Sequence, residues 1–193
     1  ASDQIITYSS RNLEPYRGFP SFMRAVPELL RRRPAAQIVV VGGDDTSYGP
    51  PPAEGVTWRE AMLREVGVLD PARVHIMPRV PYSQYRRLLQ VSRVHIYLTV
   101  PFVLSWSCLE AMASGAVVLG SRTPPVEEVI EDGRNGFLVD FFAPEAIAER
   151  AAALLAAPDA LEAVRRRARE TVVARFELRR CLAEQVRLVR SLA

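Results

Sequence analysis

The chain has 193 residues, of which 49% are hydrophobic and 24% charged, with a formal net charge of +3. That length suits one globular domain with a real core, and the charge is too mild to mark a nucleic-acid partner. No apolar run approaches the roughly 20 residues of a membrane-spanning helix, and residues 1–15 lack the charged-then-apolar order of a signal peptide.

Residues 1–10 read ASDQIITYSS, without a methionine, as expected of a domain cut from a longer protein. Short β-rich runs then alternate with helical patterns. Strands are expected at 4–10, 37–43, 73–78, 93–100, 116–121 and 136–140, with helices near 18–33, 57–66, 82–91, 107–114 and 125–131. Thr57 is a helix-start residue, and the proline-rich SYGPPPAEG at 47–55 is the one clear long loop. From 143 onward the chain is rich in Ala, Leu and Arg, with Pro144 and Pro158 at expected helix starts. The fold class that follows is α/β: a Rossmann-like parallel sheet with helices on both faces and a helical C-terminal tail. One domain over 1–193 is expected, with its core at 4–140 and the tail at 141–193.

All 25 basic residues are arginine, so any cationic contact to a ligand must be a guanidinium, a group suited to bidentate phosphate binding. Cys108 and Cys181 fit neither a disulfide framework nor a metal-ligand spacing, so both read as free thiols of a reducing, cytoplasmic compartment. His75 and His95 lie within apolar strands and read as structural.

Ligands of open parallel sheets bind beyond the carboxyl ends of the strands. The first such loop, SSRNLEPYRGFPSFMRA, sets Arg11 and Arg17 before a helix start at Gly18. Two guanidinium groups beside free helix N–H groups suit a polyphosphate, although solvated surface arginines would give the same spacing. The second loop, VGGDDTSYGPPP, lacks G-x-G-x-x-G. Asp44 and Asp45, without a lysine to partner them, read as solvated loop acids.

The stretch TVPFVLSWSCLEAMASGAVVLGS at 99–121 contains one acid, Glu110. SCLE matches the capping box, with Ser107 as cap and Glu110 returning a bond to it. A carboxylate at a helix start beneath a strand end equally suits a sugar hydroxyl. On residue types alone, both jobs stand.

LEAMASGAVVLGSRTPPVEEVIEDGRNGFLV, with SSRNLEPYRGF and HIMPRVPYSQYRRLLQVSRVHIYLTVPF before it, resembles the donor-binding half of the group 1 retaining glycosyltransferases, over about residues 4–140. The resemblance implies half of a GT-B fold. It also implies transfer of a sugar from a nucleotide diphosphate sugar to an acceptor hydroxyl, with retention. Arg11 and Arg17 resemble the catalytic pair that grips the donor pyrophosphate. Glu110 resembles the second glutamate of the family's Glu-x(7)-Glu motif, which holds the ribose, and Arg79 and Val80 would lie against the base. Glu128 aligns with a glutamate before the D-G-x-x-G turn; both it and Glu127 could equally be exposed helix residues.

The first glutamate of the motif, a sugar contact, falls on Phe102, and no acid occurs from 99 to 109. The sugar is then expected at Ser105, Trp106 and Ser107, with Phe102 in the core; core packing is the ordinary alternative for Trp106 too. The resemblance implies no cofactor and no metal, since the nucleotide sugar is substrate. The acceptor would sit on an N-terminal domain outside this chain, and the resemblance leaves open a peripheral membrane association of the full-length enzyme. The alternatives are a non-catalytic nucleotide-sugar-binding or scaffolding module, kept after the loss at Phe102, and a GT-B epimerase or phosphorylase.

Overall fold

The computed structural model describes residues 4–192, so Ala1, Ser2, Asp3 and Ala193, which belong to the expected domain span, lie outside the described residues. Six strands form one parallel sheet: β1 (Gln4–Asn12), β2 (Ala36–Gly43), β3 (Val74–Met77), β4 (Val94–Tyr97), β5 (Val117–Ser121) and β6 (Phe137–Val139). Their order is β3-β2-β1-β4-β5-β6. The chain grows from β1 toward β3, then returns to the other side of β1. The reversal leaves a crevice between the loops that follow β1 and β4, where open α/β sheets bind ligands.

Helices cover both faces, which is why β4 and β5 are buried along their whole length and read as unbroken apolar runs. Residues alternate between two cores. Ile6, Tyr8, Ile96 and Leu119 pack beneath α1 (Phe19–Arg32) and α6 (Pro144–Ala156). Tyr97, Val118 and Leu138 pack with Cys108 and Met112 of α4 (Trp106–Ala113), Val126 of α5 (Pro124–Glu127) and Ala168 of α7 (Glu162–Phe176). The C-terminal helices are thus part of the body: α6 lies on α1 and α7 on α4.

Local signals account for most boundaries. α2 (Trp58–Val66) begins at the expected Thr57 with a complete capping box, Thr57 N–H donating to Glu60 Oε2 at 2.9 Å and Glu60 N–H to Thr57 Oγ1 at 3.2 Å. α3 (Tyr82–Val91) occupies its expected span, and Pro144 opens α6. Pro158 instead opens a 3-10 turn, and α7 starts at Glu162.

Two elements stop three or more residues before their expected ends. The helix expected over 125–131 is the single turn of α5, because Asn135 intercepts the backbone beyond it. Its Oδ1 accepts from Glu131 N–H at 2.8 Å and its Nδ2 donates to Val129 O at 3.0 Å. The strand expected to 100 stops at Tyr97, since Thr99 N–H turns to the Ser121 side chain, Oγ at 3.0 Å, rather than to a backbone carbonyl of the neighbouring strand.

His95 is buried on β4, with Nδ1 2.8 Å from Thr7 Oγ1, and burial lowers its pKa to about 4. His75 is exposed on the edge strand β3, where it meets Gln37 Oε1 at 3.1 Å. Both cysteines are free.

Candidate functional site

Three loops build the site. In β1, register passes from Ser9↔Val41 to Asn12↔Gly43, so β1 spends Ser10 and Arg11 where β2 spends Gly42 alone. This extra residue is a bulge, a device that re-aims side chains at strand ends. The chain then makes a 3-10 turn at Pro15–Arg17 and enters α1 through Gly18, whose φ of 73° is left-handed. A Cβ there would stand 2.3 Å from Leu98 Cβ. Only glycine permits both the turn and the close approach of the loops after β1 and β4.

Arg17 is held from below, its carbonyl accepting from Tyr8 Oη at 2.8 Å. The Tyr8 ring is buried and stacked on Phe22 at 5.0 Å, and burial raises its pKa well above the usual phenol value. The guanidinium donates from Nη1 to Thr99 Oγ1 and to Val103 O, both at 3.0 Å. That uses both Nη1 protons, and Nε and Nη2 have no partner among the described residues.

On the far side, Ser105 caps α4. The serine favoured from the sequence, Ser107, is inside the helix: its N–H approaches Ser105 Oγ at 3.4 Å, while Ser105 N–H donates to Tyr97 Oη at 2.7 Å. Burial pushes the Tyr97 phenol up to about 12. Glu110 therefore lies beyond the capping turn and makes no capping box. Its Oε1 instead accepts from Tyr82 Oη at 3.0 Å.

A cavity of about 490 Å³ opens between these loops, lined by Arg11, Arg17, Arg79, Val80, Ser105, Trp106, Ser107 and Glu110. Every expected site residue but one therefore meets at the crevice. The exception is Glu128, which is exposed at the end of α5, away from the cavity, with its carbonyl bound by Arg175 Nη1 at 2.8 Å. The Arg79 side chain folds inward, donating to Arg11 O at 3.1 Å, Asn12 Oδ1 at 2.5 Å and Asp45 Oδ2 at 2.7 Å. Asp45 is exposed in the loop after β2, as expected, and pairs there with Arg79, as Asp44 does with Arg59 at 2.8 Å.

One further expectation is corrected: Phe102 is not a core residue but 41% exposed, and the core alternative for Trp106, 81% exposed, falls as well. Phe102 stands edge-on to Tyr48, its ring centre 5.1 Å from that of Tyr48, and the Arg17 guanidinium lies over it at 5.6 Å. Trp106 is the first residue of α4 and borders the cavity.

The structure also adds Glu14, Tyr48 and Tyr85 to the cavity wall. Glu14 is fully buried, and its Oε2 accepts from Ser47 N–H at 3.1 Å and Tyr48 N–H at 2.7 Å. It ties the loop after β2 to the loop after β1. Its place between Arg11 and Arg17 was the only signal for it in the sequence. Among the described residues, no group of three or more His, Cys, Asp or Glu side chains could hold a metal ion.

The chain matches the family model described as glycosyl transferases group 1 over residues 1–171. It belongs to that family. The group 1 domain is 30% identical over 168 residues to a D-inositol 3-phosphate glycosyltransferase of Segniliparus rotundus, covering 86% of this chain and 35% of the relative. A D-inositol 3-phosphate glycosyltransferase of Nocardia farcinica is 30% identical over 148 residues, 71% of this chain and 29% of the relative. The domain thus spans about a third of the length of these relatives.

Among solved structures, Anabaena HepE in complex with UDP-glucose superposes with a TM-score of 0.82 at 18% identity, over 98% of this chain and 49% of HepE. The C-terminal domain of a group 1 glycosyl transferase from Francisella tularensis superposes at 0.73 and 16% identity, over 91% of this chain and 88% of that one. The Rossmann-like half of a GT-B fold implied by the sequence is the fold of this domain.

Proposed function

We propose that the domain binds the donor of a retaining glycosyltransferase, a nucleoside diphosphate sugar, and that the longer protein transfers the sugar to an acceptor hydroxyl. One observation carries this reading: a single cavity at the strand-order reversal gathers Arg11, Arg17 and the carboxylate of Glu110. Guanidinium donors suit the diphosphate, while an ionised carboxylate only accepts and so selects hydroxyl donors. The base would lie along the backbone of Arg79 and Val80, and the sugar toward Val103, Ser105 and Trp106.

As the glycosidic bond breaks, negative charge grows on the departing diphosphate. Arg11 and the free edge of Arg17 would stabilise it, an electrostatic contribution that needs no reorganisation because Arg17 is already fixed. The leaving phosphate would accept the acceptor's proton on the same face, which gives retention. These steps require no metal or cofactor. The names of the relatives support an inositol phosphate as one acceptor to test, and acceptor groups belong to the rest of the protein. The free thiols of Cys108 and Cys181 support a cytoplasmic setting.

A non-catalytic nucleotide-sugar-binding module is the second reading, favoured by the absence of any acid between 99 and 109. Binding tests the part common to both. UDP, GDP or ADP should raise the melting temperature where the matching nucleoside scarcely does, and Arg17→Ala should weaken the diphosphate by roughly 10- to 150-fold, the equivalent of about 1.5 to 3 kcal/mol. Equal shifts from nucleoside and diphosphate would remove the arginines from the site. Sugar transfer by the full-length protein, monitored by release of the diphosphate, separates the enzyme from the module.

A further inference from the structure

Arg17 Cζ lies 5.6 Å from the centres of both the Tyr48 and Phe102 rings, which meet at 65°. The two rings form an aromatic corner against the guanidinium. Tyr16 backs Tyr48 in a near-parallel stack at 6.4 Å and 4°. Tyr48 in turn is fixed through its backbone, since Glu14 Oε2 accepts its N–H at 2.7 Å. Each ring thus comes from a different loop, Tyr48 from the one after β2 and Phe102 from the one after β4.

We propose that Phe102 and Tyr48 are positioning residues that set the Arg17 guanidinium for the donor diphosphate, an inference that rests on the reading of the cavity as a diphosphate site. Arg17 is a long side chain on a turn, and a free arginine samples many rotamers, so its phosphate contact would carry the entropy of ordering it. Here the Nη1 protons are engaged by Thr99 and Val103, and the aromatic corner flanks the planar group. What is left for a ligand is the in-plane edge of Nε and Nη2, the geometry of a bidentate phosphate contact. Ring faces carry negative charge density, so they hold a guanidinium without neutralising it. A carboxylate at position 102 would do the opposite. It would stand beside Arg17 as an ion-pair partner and compete with the diphosphate. The phenylalanine is therefore a working part of a rearranged site and not the scar of a lost one.

Calorimetry with UDP, GDP and ADP on the 193-residue chain tests this, using Phe102→Leu, Phe102→Tyr and Phe102→Glu in the wild-type and Arg17→Ala backgrounds. Position 102 is on the exposed rim, and a melting curve checks that each variant folds. Phe102→Leu should weaken the tightest diphosphate about 5-fold, Phe102→Tyr should stay within about 2-fold of wild type, and Phe102→Glu should lose more than about 10-fold. In the Arg17→Ala background the three should differ by less than about 2-fold, because Phe102 acts only through the guanidinium. Equal losses in both backgrounds, unchanged binding by Phe102→Leu, or tighter binding by Phe102→Glu would each overturn the positioning role while leaving the diphosphate site in place. A wild-type chain that binds none of the three diphosphates would overturn the reading of the cavity, and this inference with it.

Discussion

Tyr82 Oη donates a 3.0 Å hydrogen bond to Glu110 Oε1, joining the first residue of α3 to the middle of α4. The bond to the carboxylate raises the Tyr82 pKa above that of a free phenol. Since Ser105 is the cap of α4, Glu110 is released from helix capping, and Oε2 makes no hydrogen bond among the described residues.

Glu110→Gln should therefore leave stability nearly constant and weaken a ribonucleotide by about 1 to 2 kcal/mol, through loss of the charged acceptor. The 2'-deoxynucleotide should bind wild type more weakly than the ribonucleotide does, and lose little further in the variant. A titration in which wild type ignores the ribose hydroxyls and Glu110→Gln binds normally would assign the carboxylate to Tyr82 alone.

Gly18→Ala should be destabilising on two grounds. The left-handed φ disfavours a side chain by about 1 to 2 kcal/mol, and the new Cβ would have to displace Leu98 from 2.3 Å. A loss of at least about 2 kcal/mol would lower the melting temperature by roughly 4 to 8 °C in a domain of this size. Diphosphate affinity should fall as well, because the same turn carries Arg17. A variant with unchanged melting and binding would show that the loops can separate freely.

His95 makes stability depend on pH. Burial lowers its folded-state pKa to about 4, against about 6.5 in an unfolded chain. On acidification the unfolded chain takes up the proton first. The stabilising effect is complete above about pH 6.5 and is lost progressively as the pH falls to about 4, by up to about 3 kcal/mol. Denaturant unfolding at intervals from pH 7 to 4.5 should show this decline, and His95→Gln should flatten it. An equally steep decline in His95→Gln would move the effect to the carboxylates.

Most of the sheet was legible because parallel strands buried on both faces read as apolar runs, and Thr57 and Pro144 mark helix starts by local chemistry alone. The arginine pair and Glu110 were legible as residue types fitted to anions and hydroxyls beside strand ends. The start of α4 was ambiguous in one dimension. Ser105 and Ser107 are both good caps, and the choice is made by the Tyr97 hydroxyl holding Ser105 N–H. Phe102 misled for a related reason. An apolar residue defaults to the core unless something on the surface packs against it, and here that is Arg17, 85 residues earlier in the sequence. Glu14 contacts Tyr48 at a separation of 34 residues, and no spacing rule joins a loop acid to a distant backbone amide.

The bulge at Ser10 and Arg11 makes the ligand-facing end of β1 a matter of counting. Strand side chains alternate, so deleting Ser10 would let β1 pair evenly with β2 to its last residue and would keep the sheet's central contacts. Asn12 would keep its partner Gly43, and Arg11 alone would stand opposite Gly42, the place it now shares with Ser10. The cavity wall, lined in turn by Ser9, Ser10 and Arg11, would lose one residue and the local twist that a bulge adds. A more regular strand would thus keep the sheet and re-aim one wall of the cavity, so a one-residue irregularity of the ladder sets which side chains the strand end presents.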